Sequence, residues 1–564
     1  MFYILSLMLL LGLGLKGGNE PAPTLTLYLC GISAGFLSIV RGTKKDYKIS
    51  AFTWGAGLIG LWSIIEWFTS PVVYLSRLEG LQILFYCLTV LTVQQLEDEE
   101  KKRLLKLVIG IALINSLFIV GEQISSKNVQ ISLIGIFPSS VPGRYSGVFQ
   151  NPNTAGEVAA MGLGTLLFWL AAIPRNRQAL LAGSSSVAIL TAATVATQSR
   201  GAILLVIGIA ILGLPLQYFL TKNRQYLQAA ILTLFLLLAL LGLQGKSVHR
   251  LSDIKATTLS TASQLTPATG ETERVEIWKS SLSLWSKEPL MGIHPGLLNE
   301  RWFEVQPENI QEMPYKSHSL PITILCEYGI VGAFIGLSFL TLWLWQLCTR
   351  WALTTTTQQA ATIGALVLLA GDCVDYSLYV PLHGLLFSVL VALSLPVYEA
   401  KTYKLPTQAI TCVFTLFLFG YGVQQAIWCF GFSSQATTET RIDEAQNILS
   451  WMPDNAAVHQ ELSHLYKSQN NNKAAMQEQL TVFKLNPFDL NRTSLAYLIY
   501  PTNPQKADEI INQAIRQAPN SFIIYNVAAD YYQQTGRTNQ ATLAKTRAKH
   551  LQQFWRKSAF KVKD

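Results

Sequence analysis

Residues 200–243 read RGAILLVIGIAILGLPLQYFLTKNRQYLQAAILTLFLLLALLGL. They form two apolar runs separated by a short basic segment at residues 222–224. A helix needs about 20 apolar residues to cross the hydrocarbon core of a bilayer, and each run is long enough. This stretch therefore predicts two consecutive membrane spans.

The same pattern recurs along most of the chain. Half of the 564 residues are hydrophobic, 14% are charged, and the mean hydropathy is +0.30, all unusual for a soluble globular protein. About thirteen spans are predicted, centred near residues 9, 33, 59, 88, 113, 163, 188, 211, 235, 334, 367, 389 and 418. The first run, residues 2–15, has no basic residue before it and no small-residue cleavage site after it, so it is interpreted as a membrane helix and not as a signal peptide. The predicted fold class is all-α, a polytopic membrane helix bundle.

Charged residues indicate the orientation of these spans. The formal net charge is +9, but Lys and Arg occur in short clusters between apolar runs, which argues against nucleic-acid binding. Short basic or mixed connections at residues 41–48, 99–103, 175–177, 222–224, 350 and 401–404 are predicted to be cytoplasmic by the positive-inside rule. The alternation then places residues 121–152, 199–201, 245–320, 372–381 and everything after 433 on the opposite side.

The C-terminal part changes character. A membrane domain of residues 1–432 is followed by a polar segment, 433–564, rich in Gln and Asn. Two helical pairs are predicted there, at 442–483 and 506–548, and Pro453 and Pro487 lie one 34-residue tetratricopeptide period apart. We predict a helical-repeat domain, which would either only stabilise the membrane part or offer a concave surface to a protein acceptor.

The seven cysteines lie in or beside apolar stretches and form no CxxC pair and no Cys/His set at ligand spacing. Neither a disulfide framework nor a zinc site is indicated. The sequence predicts no metal and no cofactor.

Two polar clusters lie before apolar runs on the predicted outer side. Residues 143–153 read GRYSGVFQNPN, and Asn153 or Thr154 could cap the following helix, whose N-terminal amides would face an anionic group. A plain helix-entry loop is the alternative. The second cluster is TQSRG at 197–201, where Arg200 could contact lipid phosphates at the interface or bind a phosphate group with two parallel hydrogen bonds.

A third cluster lies in the long loop 245–320. Residues 271–285 predict an amphipathic helix with Arg274 in its first turn. The apolar residues at helical spacing are Val275, Trp278, Leu282 and Trp285. Further on, His318 stands in the segment YKSHS immediately before a predicted span and could exchange a proton near neutral pH. A structural histidine is the alternative.

The fourth cluster consists of two carboxylates and two phenols where a span ends. These residues are Asp372, Asp375, Tyr376 and Tyr379, ahead of Pro381. Interfacial tyrosines ordinarily belong to the aromatic belt, whereas two aspartates at a membrane boundary are costly unless they pair or line a site.

Taken in order, these pieces resemble the bacterial superfamily of O-antigen ligases, O-antigen polymerases and O-oligosaccharyltransferases. The resemblance extends from about residue 142 to residue 395 and rests on the order and spacing of short motifs. These are the loop at 143–153, the SRG turn at 199–201, Arg274-x-x-x-Trp278, Pro289-Leu290-x-Gly292-x-x-Pro295-Gly296, and His318 followed by EYGIVG at 327–332.

Three features are most similar to the protein O-oligosaccharyltransferases that glycosylate type IV pilins. They are the QNPN segment at 150–153, the DYSLY segment at 375–379 and the appended helical domain. Family members often have Asn after the histidine, whereas this chain has Ser319. The resemblance implies a bacterial inner-membrane enzyme whose active site and C-terminal domain are periplasmic.

The resemblance also implies roles for single residues. Such enzymes transfer a glycan from undecaprenyl pyrophosphate to a hydroxyl group, here a Ser or Thr of a protein acceptor. Arg200 and Arg274 would hold the pyrophosphate, and His318 would orient or deprotonate the acceptor hydroxyl. Substrate-binding positions would be Gln150, Asn153, Asp375, Tyr376 and Tyr379.

Other functions remain open at this point. A transporter should show internal symmetry or broken helices at the midplane, whereas the polar groups here gather near one face. An envelope scaffold would need only the anchoring helices and the repeat domain. Within the superfamily, an O-antigen ligase or polymerase acting on a glycolipid acceptor is the alternative to a protein glycosyltransferase.

Overall fold

In the computed structural model the chain forms an apolar group of helices up to Phe430 and a polar group from Thr438 onward. The structure describes residues 1–18, 20–44, 48–49, 51–125, 129–132, 135–138, 143–171, 177–243, 271–311, 313–394, 398–399, 404–432, 437–488 and 493–555. The first part of the predicted loop 245–320 and the proposed domain boundary at 432/433 lie outside these ranges.

The apolar group includes the membrane helices and the helices of the long loop. They are α1 (Phe2–Gly14), α2 (Pro21–Lys44), α3 (Ala51–Thr69), α4 (Val73–Gln94), α5 (Asp98–Ser125), α6 (Pro152–Leu170), α7 (Arg177–Ala196), α8 (Arg200–Gly208), α9 (Leu214–Thr221), α10 (Arg224–Leu243), α11 (Glu271–Trp285), α12 (Leu298–Arg301), α13 (Leu320–Arg350), α14 (Thr356–Asp372), α15 (Pro381–Ser394) and α16 (Lys404–Phe430). A π-helical segment, Ile209–Gly213, joins α8 to α9.

Each of the thirteen predicted span centres falls within a helix or, for residue 211, within the π-helical segment. Seven helices among the described residues are long and apolar enough to cross a membrane, and Phe2–Gly14, Leu181–Ala196 and Pro381–Ser394 are shorter apolar helices. The chain is therefore a multi-pass membrane protein. The number thirteen stays a prediction, since length and hydropathy single out fewer helices.

Two short antiparallel ladders accompany the helices. β1 (Lys48–Ile49) pairs with β4 (Tyr398–Glu399), and β2 (Val129–Ser132) pairs with β3 (Gly135–Pro138). The β1–β4 ladder joins connections that are far apart in sequence. The sequence predicts helices only, and the part of the chain that the structure describes is helical apart from these two ladders.

Helix α6 lies at the centre of the bundle and is buried along most of its length. It begins with Pro152 after Asn151, whose side chain accepts a hydrogen bond from the Asn153 amide and caps the helix. Its neighbours include α14, α7, α8 and α5. At Gly156 an added Cβ would lie 2.7 Å from the Thr197 hydroxyl oxygen. The SRG turn therefore packs directly on α6.

Helix α13 is broken at Gly329, where φ is 63° and ψ is −167°. The Leu290–Gly292 turn docks into this break. The Ile330 amide donates to the Pro289 carbonyl at 2.9 Å, and the Ile293 amide donates to the Cys326 carbonyl at 2.8 Å. Only glycine adopts this backbone conformation without strain. The PLxG and EYG motifs thus contact each other through these backbone hydrogen bonds.

Helix α11 has the predicted bounds, but its predicted apolar face is only partly correct, since Trp278 and Trp285 are half-buried while the other two positions are exposed. Val275 is 42% exposed and Leu282 is 37% exposed, whereas Ile277 and Leu284 are buried. Ile277 packs with Trp302, while Leu284 packs in a neighbouring cluster of the same loop. Apolar spacing predicted the helix correctly, but two apolar faces were available, and packing against the rest of the loop selected the other one.

The polar group consists of α17 (Thr438–Trp451), α18 (Ala456–Ser468), α19 (Asn472–Leu485), α20 (Thr493–Ile499), α21 (Pro504–Gln517), α22 (Phe522–Gln534) and α23 (Thr538–Gln552). The two predicted helical pairs, four helices in all, are thus fewer than the seven helices that the structure describes. Pro453, Pro487 and Pro519 each lie in a turn just after a helix ends, as expected for a residue that cannot continue a helix. A tetratricopeptide-like arrangement stays a prediction.

The polar helices dock on the long loop that carries α11 and on α4. Arg77 donates from its two terminal nitrogens to the Asp454 carboxylate at 2.8 and 3.1 Å. The Gln311 side chain donates to the Asn520 carbonyl, and the Asn520 side chain donates to the Gln306 carbonyl, both at 2.9 Å. These polar contacts attach the C-terminal helices to the loop that carries α11.

Candidate functional site

The segment around His318 is held by buried polar neighbours. Lys316 is 1% exposed, and its ammonium lies 2.9 and 2.8 Å from the Glu327 oxygens and 3.1 Å from Glu79. The Ser317 hydroxyl lies 2.5 Å from the Thr323 hydroxyl. A buried ammonium needs such partners because desolvation is costly. These contacts fix the backbone just before His318.

His318 itself is turned toward the opposite connection. Its φ is 53°, a left-handed conformation uncommon for residues other than glycine. Its Nδ1 lies 3.7 Å from an Asp375 carboxylate oxygen, and its side chain is 27% exposed. The imidazole meets the Tyr376 ring edge-on at 4.7 Å between centroids. A strained backbone at a partly exposed histidine is typical of functional sites.

Asp375 is where the predicted clusters meet. It is 3% exposed and lies in the connection between α14 and α15. Its Oδ2 is 3.3 Å from an Arg274 terminal nitrogen. The same oxygen accepts a hydrogen bond from the side-chain Nδ2 of Asn153 at 2.9 Å. Burial raises the pKa of Asp375, but His318 and the Arg274 charge together hold it below its usual value. The group is thus a carboxylate at neutral pH.

Arg144 links this group to the SRG turn. Its Nη2 donates to the Asn153 side-chain oxygen at 2.6 Å, and its Nε donates to the Thr197 carbonyl at 2.9 Å. Gln198 donates to the Gly143 carbonyl at 3.1 Å. Sequence patterns predicted no role for Arg144. A basic residue in a Gly- and Pro-containing loop ahead of a capped helix was the available signal.

The predicted site residues are therefore placed as follows. Asn153, Arg274 and His318 converge on Asp375, and Tyr376 donates its backbone amide to the Asp375 carboxylate at 2.9 Å. Arg200 is the first residue of α8, on the turn that Arg144 contacts, and Gln150 lies in the loop before α6. The Tyr379 ring covers buried Lys316, with 4.4 Å between the ammonium and the ring centroid. Ser319 is buried and accepts from the Ser317 hydroxyl through its backbone carbonyl at 2.9 Å.

An apolar cavity of about 260 Å³ opens on the Tyr379 side of this site. It lies between α3, α4, α13 and α15. Apolar side chains form most of its wall, among them Ile83, Val90, Ile324 and Phe339. The polar residues Glu79 and Gln82 line it as well. A mostly apolar cavity with a few polar groups is suited to an amphiphilic ligand.

A second polar group lies deeper in the bundle. Glu157 follows Asn153 by one turn of α6, Asp372 ends α14, and His383 lies in the first turn of α15. Among the described residues, these three form the group able to hold a metal ion, with one ligand atom of each within 4.8 Å of the others. The sequence prediction of no metal rested on Cys/His spacing along the chain and did not consider this group.

The fold and this site define a multi-pass membrane protein with a His–Asp–Arg group in the connections between its helices. Residues 185–337 match the family model described as O-antigen ligase, and no curated protein matches the chain. The matched range contains Arg200, Arg274 and His318. The match supports the O-antigen ligase superfamily inferred from the motifs and indicates a membrane glycosyltransferase.

Proposed function

We propose that the protein transfers a glycan from undecaprenyl pyrophosphate to a Ser or Thr hydroxyl of a protein acceptor such as a type IV pilin. The observation that carries this proposal is the convergence of His318, Arg274 and Asn153 on the Asp375 carboxylate. These residues come from distant parts of the chain. Together they supply a proton acceptor, a cation and a carboxylate that lies close to both.

His318 would act as the general base. With its Nδ1 toward Asp375, the imidazole presents Nε2 to the acceptor hydroxyl. The hydroxyl proton passes to Nε2 while the acceptor oxygen forms a bond to the anomeric carbon of the sugar. The bond between that carbon and the phosphate oxygen breaks, and undecaprenyl pyrophosphate leaves with the electron pair. Asp375 would stabilise the imidazolium that forms.

The arginines would neutralise the leaving group. Arg274 offers more donors than its contact with Asp375 uses, and its side chain is 31% exposed. Arg200 lies on the turn bound by Arg144 and would approach the same phosphates. Charge-assisted hydrogen bonds that strengthen as negative charge develops lower the barrier. Gln150 and Tyr376 would position the sugar or the acceptor.

The apolar cavity supports a lipid-linked donor. Tyr379 lines the cavity and belongs to the same connection as Asp375 and Tyr376. A polyprenyl chain could lie in the cavity while its pyrophosphate reaches the arginines. The arrangement agrees with a site at the membrane surface, which we propose is the periplasmic face of the inner membrane.

Transfer by the purified full-length protein tests this proposal. The enzyme would be incubated with an undecaprenyl-pyrophosphate-linked glycan and pilin, and glycopeptides would be identified by mass spectrometry. We expect glycosylated Ser or Thr with the wild type and with His464→Ala, a control at an exposed histidine of α18. His318→Ala should abolish transfer with donor binding retained. Stable His318→Ala and Arg274→Ala proteins with near wild-type transfer would refute the assignment.

The same assay separates the two acceptor classes. An O-antigen ligase or polymerase would modify a glycolipid acceptor and leave pilin unmodified. We propose that the C-terminal helices select the protein acceptor, because they dock on the loop that carries Arg274. Deletion of residues 440–564 should then reduce pilin glycosylation while donor binding persists in a folded truncation. Equal loss of donor binding would contradict this division.

The periplasmic placement is tested separately by topology. An alkaline phosphatase fusion after residue 433 should be active, because this reporter folds only outside the cytoplasm. A cytoplasmic reporter that is active at the same position would reverse the orientation. It would also place the His318 site on the cytoplasmic face, whereas we propose that the lipid-linked donor presents its glycan on the periplasmic face.

A further inference from the structure

Three buried side chains meet below the Asp375 site. Glu157, Asp372 and His383 are 3%, 0% and 0% exposed and belong to three different helices. The His383 Nε2 lies 3.6 Å from Glu157 Oε2 and 3.4 Å from Asp372 Oδ2. Two carboxylates and an imidazole in the interior of a membrane bundle are costly without compensation. A bound ion or a shared proton is therefore needed to offset the cost of burying these three side chains together.

The facing atoms of this group are unsatisfied. Glu157 Oε2, Asp372 Oδ2 and both His383 ring nitrogens are buried without a hydrogen-bond partner in the part of the chain that the structure describes. The other Asp372 oxygen does accept a bond, from the Leu378 amide at 3.0 Å. Buried polar atoms are nearly always paired. Three of these unpaired atoms face one another, namely Glu157 Oε2, Asp372 Oδ2 and His383 Nε2.

Their spacing fits a bound cation better than a hydrogen bond. Nitrogen–oxygen hydrogen bonds span about 2.7–3.2 Å, shorter than either separation. Ligand atoms at about 2.0–2.2 Å from a tetrahedral ion lie about 3.3–3.6 Å apart along its edges. The two His383 separations, 3.4 and 3.6 Å, have this length. Gly371 makes room for the group, because an added Cβ would lie 2.8 Å from the Glu157 carboxyl carbon.

Charge and ligand type narrow the choice of ion. Two ionised carboxylates would carry two negative charges, which one divalent cation would neutralise. An imidazole among carboxylates suits zinc and similar transition metals better than magnesium or calcium, which prefer all-oxygen sites. Three protein ligands leave a tetrahedral position for a further ligand.

We propose that Glu157, Asp372 and His383 form a divalent transition-metal site, with zinc(II) as the best fit, that joins α6, α14 and α15 beneath the Asp375 site. Asn153 precedes Glu157 by one turn of α6, and Asp375 closely follows Asp372. The ion would thereby position the Asn153–Asp375 hydrogen bond. Its role is structural, so glycosyl transfer at His318 needs no metal in the reacting group.

Metal analysis of the full-length protein in detergent tests this site. The protein is stripped with chelator, titrated with Zn²⁺ or Co²⁺, and desalted before elemental analysis. We expect about one ion bound per chain, a Co²⁺ absorption spectrum of low-coordinate type, and a higher melting temperature with Zn²⁺. His383→Gln and Asp372→Asn should each weaken binding at least tenfold. Glu122→Gln, a change at a buried carboxylate of α5, should leave binding intact.

Two results would overturn the site. One is stripped wild-type protein that binds neither Zn²⁺ nor Co²⁺, which would indicate that a shared proton balances the cluster. The other is equal Zn²⁺ affinity in the wild type and in monodisperse His383→Gln protein. The wild-type titration does not depend on the variants folding, and it does not depend on the proposed glycosyl transfer.

Discussion

The imidazole of His318 lies 3.7 Å from the Asp375 carboxylate, and each residue comes from a different connection of the bundle. The Lys316 contacts hold one side of the pair, while Asn153 and Arg274 hold the other. A histidine whose charge is stabilised by a buried carboxylate is suited to accept a proton during a reaction.

Asp375→Asn should reduce glycosyl transfer by roughly a hundredfold or more, the usual contribution of an oriented general base. The amide preserves the size of the side chain but removes the negative charge that favours the imidazolium form of His318. We expect kcat to fall more than donor affinity, measured by transfer kinetics and donor binding. Asp530→Asn, at an exposed position of α22, is the matched control. Unchanged kcat in a folded Asp375→Asn protein would contradict the role of the pair.

Arg274→Lys should be nearly as harmful as Arg274→Ala. A lysine cannot contact Asp375 and a pyrophosphate with one planar group. Losing one charge-assisted hydrogen bond costs about 1.5–3 kcal/mol, or roughly a tenfold to hundredfold in donor affinity or rate. Donor binding and transfer rate are measured together, with Arg516→Lys, an exposed arginine of α21, as control. Full activity in Arg274→Lys would show that only charge matters at this position.

Gly329→Ala should destabilise the protein by about 1–3 kcal/mol, the usual cost of a backbone conformation reserved for glycine. An added Cβ would lie 2.1 Å from the Leu290 carbonyl oxygen, so the docked turn must move as well. Gly336→Ala is the matched control in the same helix, because an added Cβ there meets nothing within 4 Å. The measurement is thermal unfolding in detergent. Equal melting temperatures for the two variants would refute the docking of the PLxG turn.

The His459–Glu478 pair should make the C-terminal helices less stable at high pH. The imidazole lies 2.6 Å from the Glu478 carboxylate and 3.2 Å from the Pro453 carbonyl. Burial lowers the pKa of His459, but these bonds and the Glu478 charge raise it more, so the net shift is upward. A raised pKa contributes stability in full below the unfolded value of about 6.5, and this stability is lost as pH rises through the folded pKa.

Thermal unfolding of the full chain at several pH values measures this effect. His459→Gln should lower the melting temperature at about pH 5.5, and the difference from wild type should narrow toward about pH 9. His464→Gln, a change at an exposed histidine of the same helix, is the matched control. A difference that widens with rising pH would have the wrong sign for a histidine stabilised in its charged form.

The sequence by itself determined where the apolar helices of the membrane part lie. Long apolar runs separated by short polar segments are sufficient for this, because every backbone group inside a bilayer must be hydrogen-bonded within its own helix. The bounds of α11, Glu271–Trp285, follow from the same kind of local pattern. Motif order was enough to select Arg200, Arg274 and His318 as candidates.

Only the tertiary structure decided which side chains meet. Asp375 was predicted as a substrate ligand, yet the fold makes it the partner of His318 and Arg274. Sequence patterns also did not predict which face of α11 is buried or that Lys316 holds the segment before His318. They did not predict the cluster of Glu157, Asp372 and His383 either. Hydrophobic spacing does not choose between two apolar faces of one helix, as in α11. In the membrane spans it does not tell a buried face from a lipid-facing one, because lipid and protein core are both apolar. Contacts between polar groups far apart in sequence depend on how the helices pack.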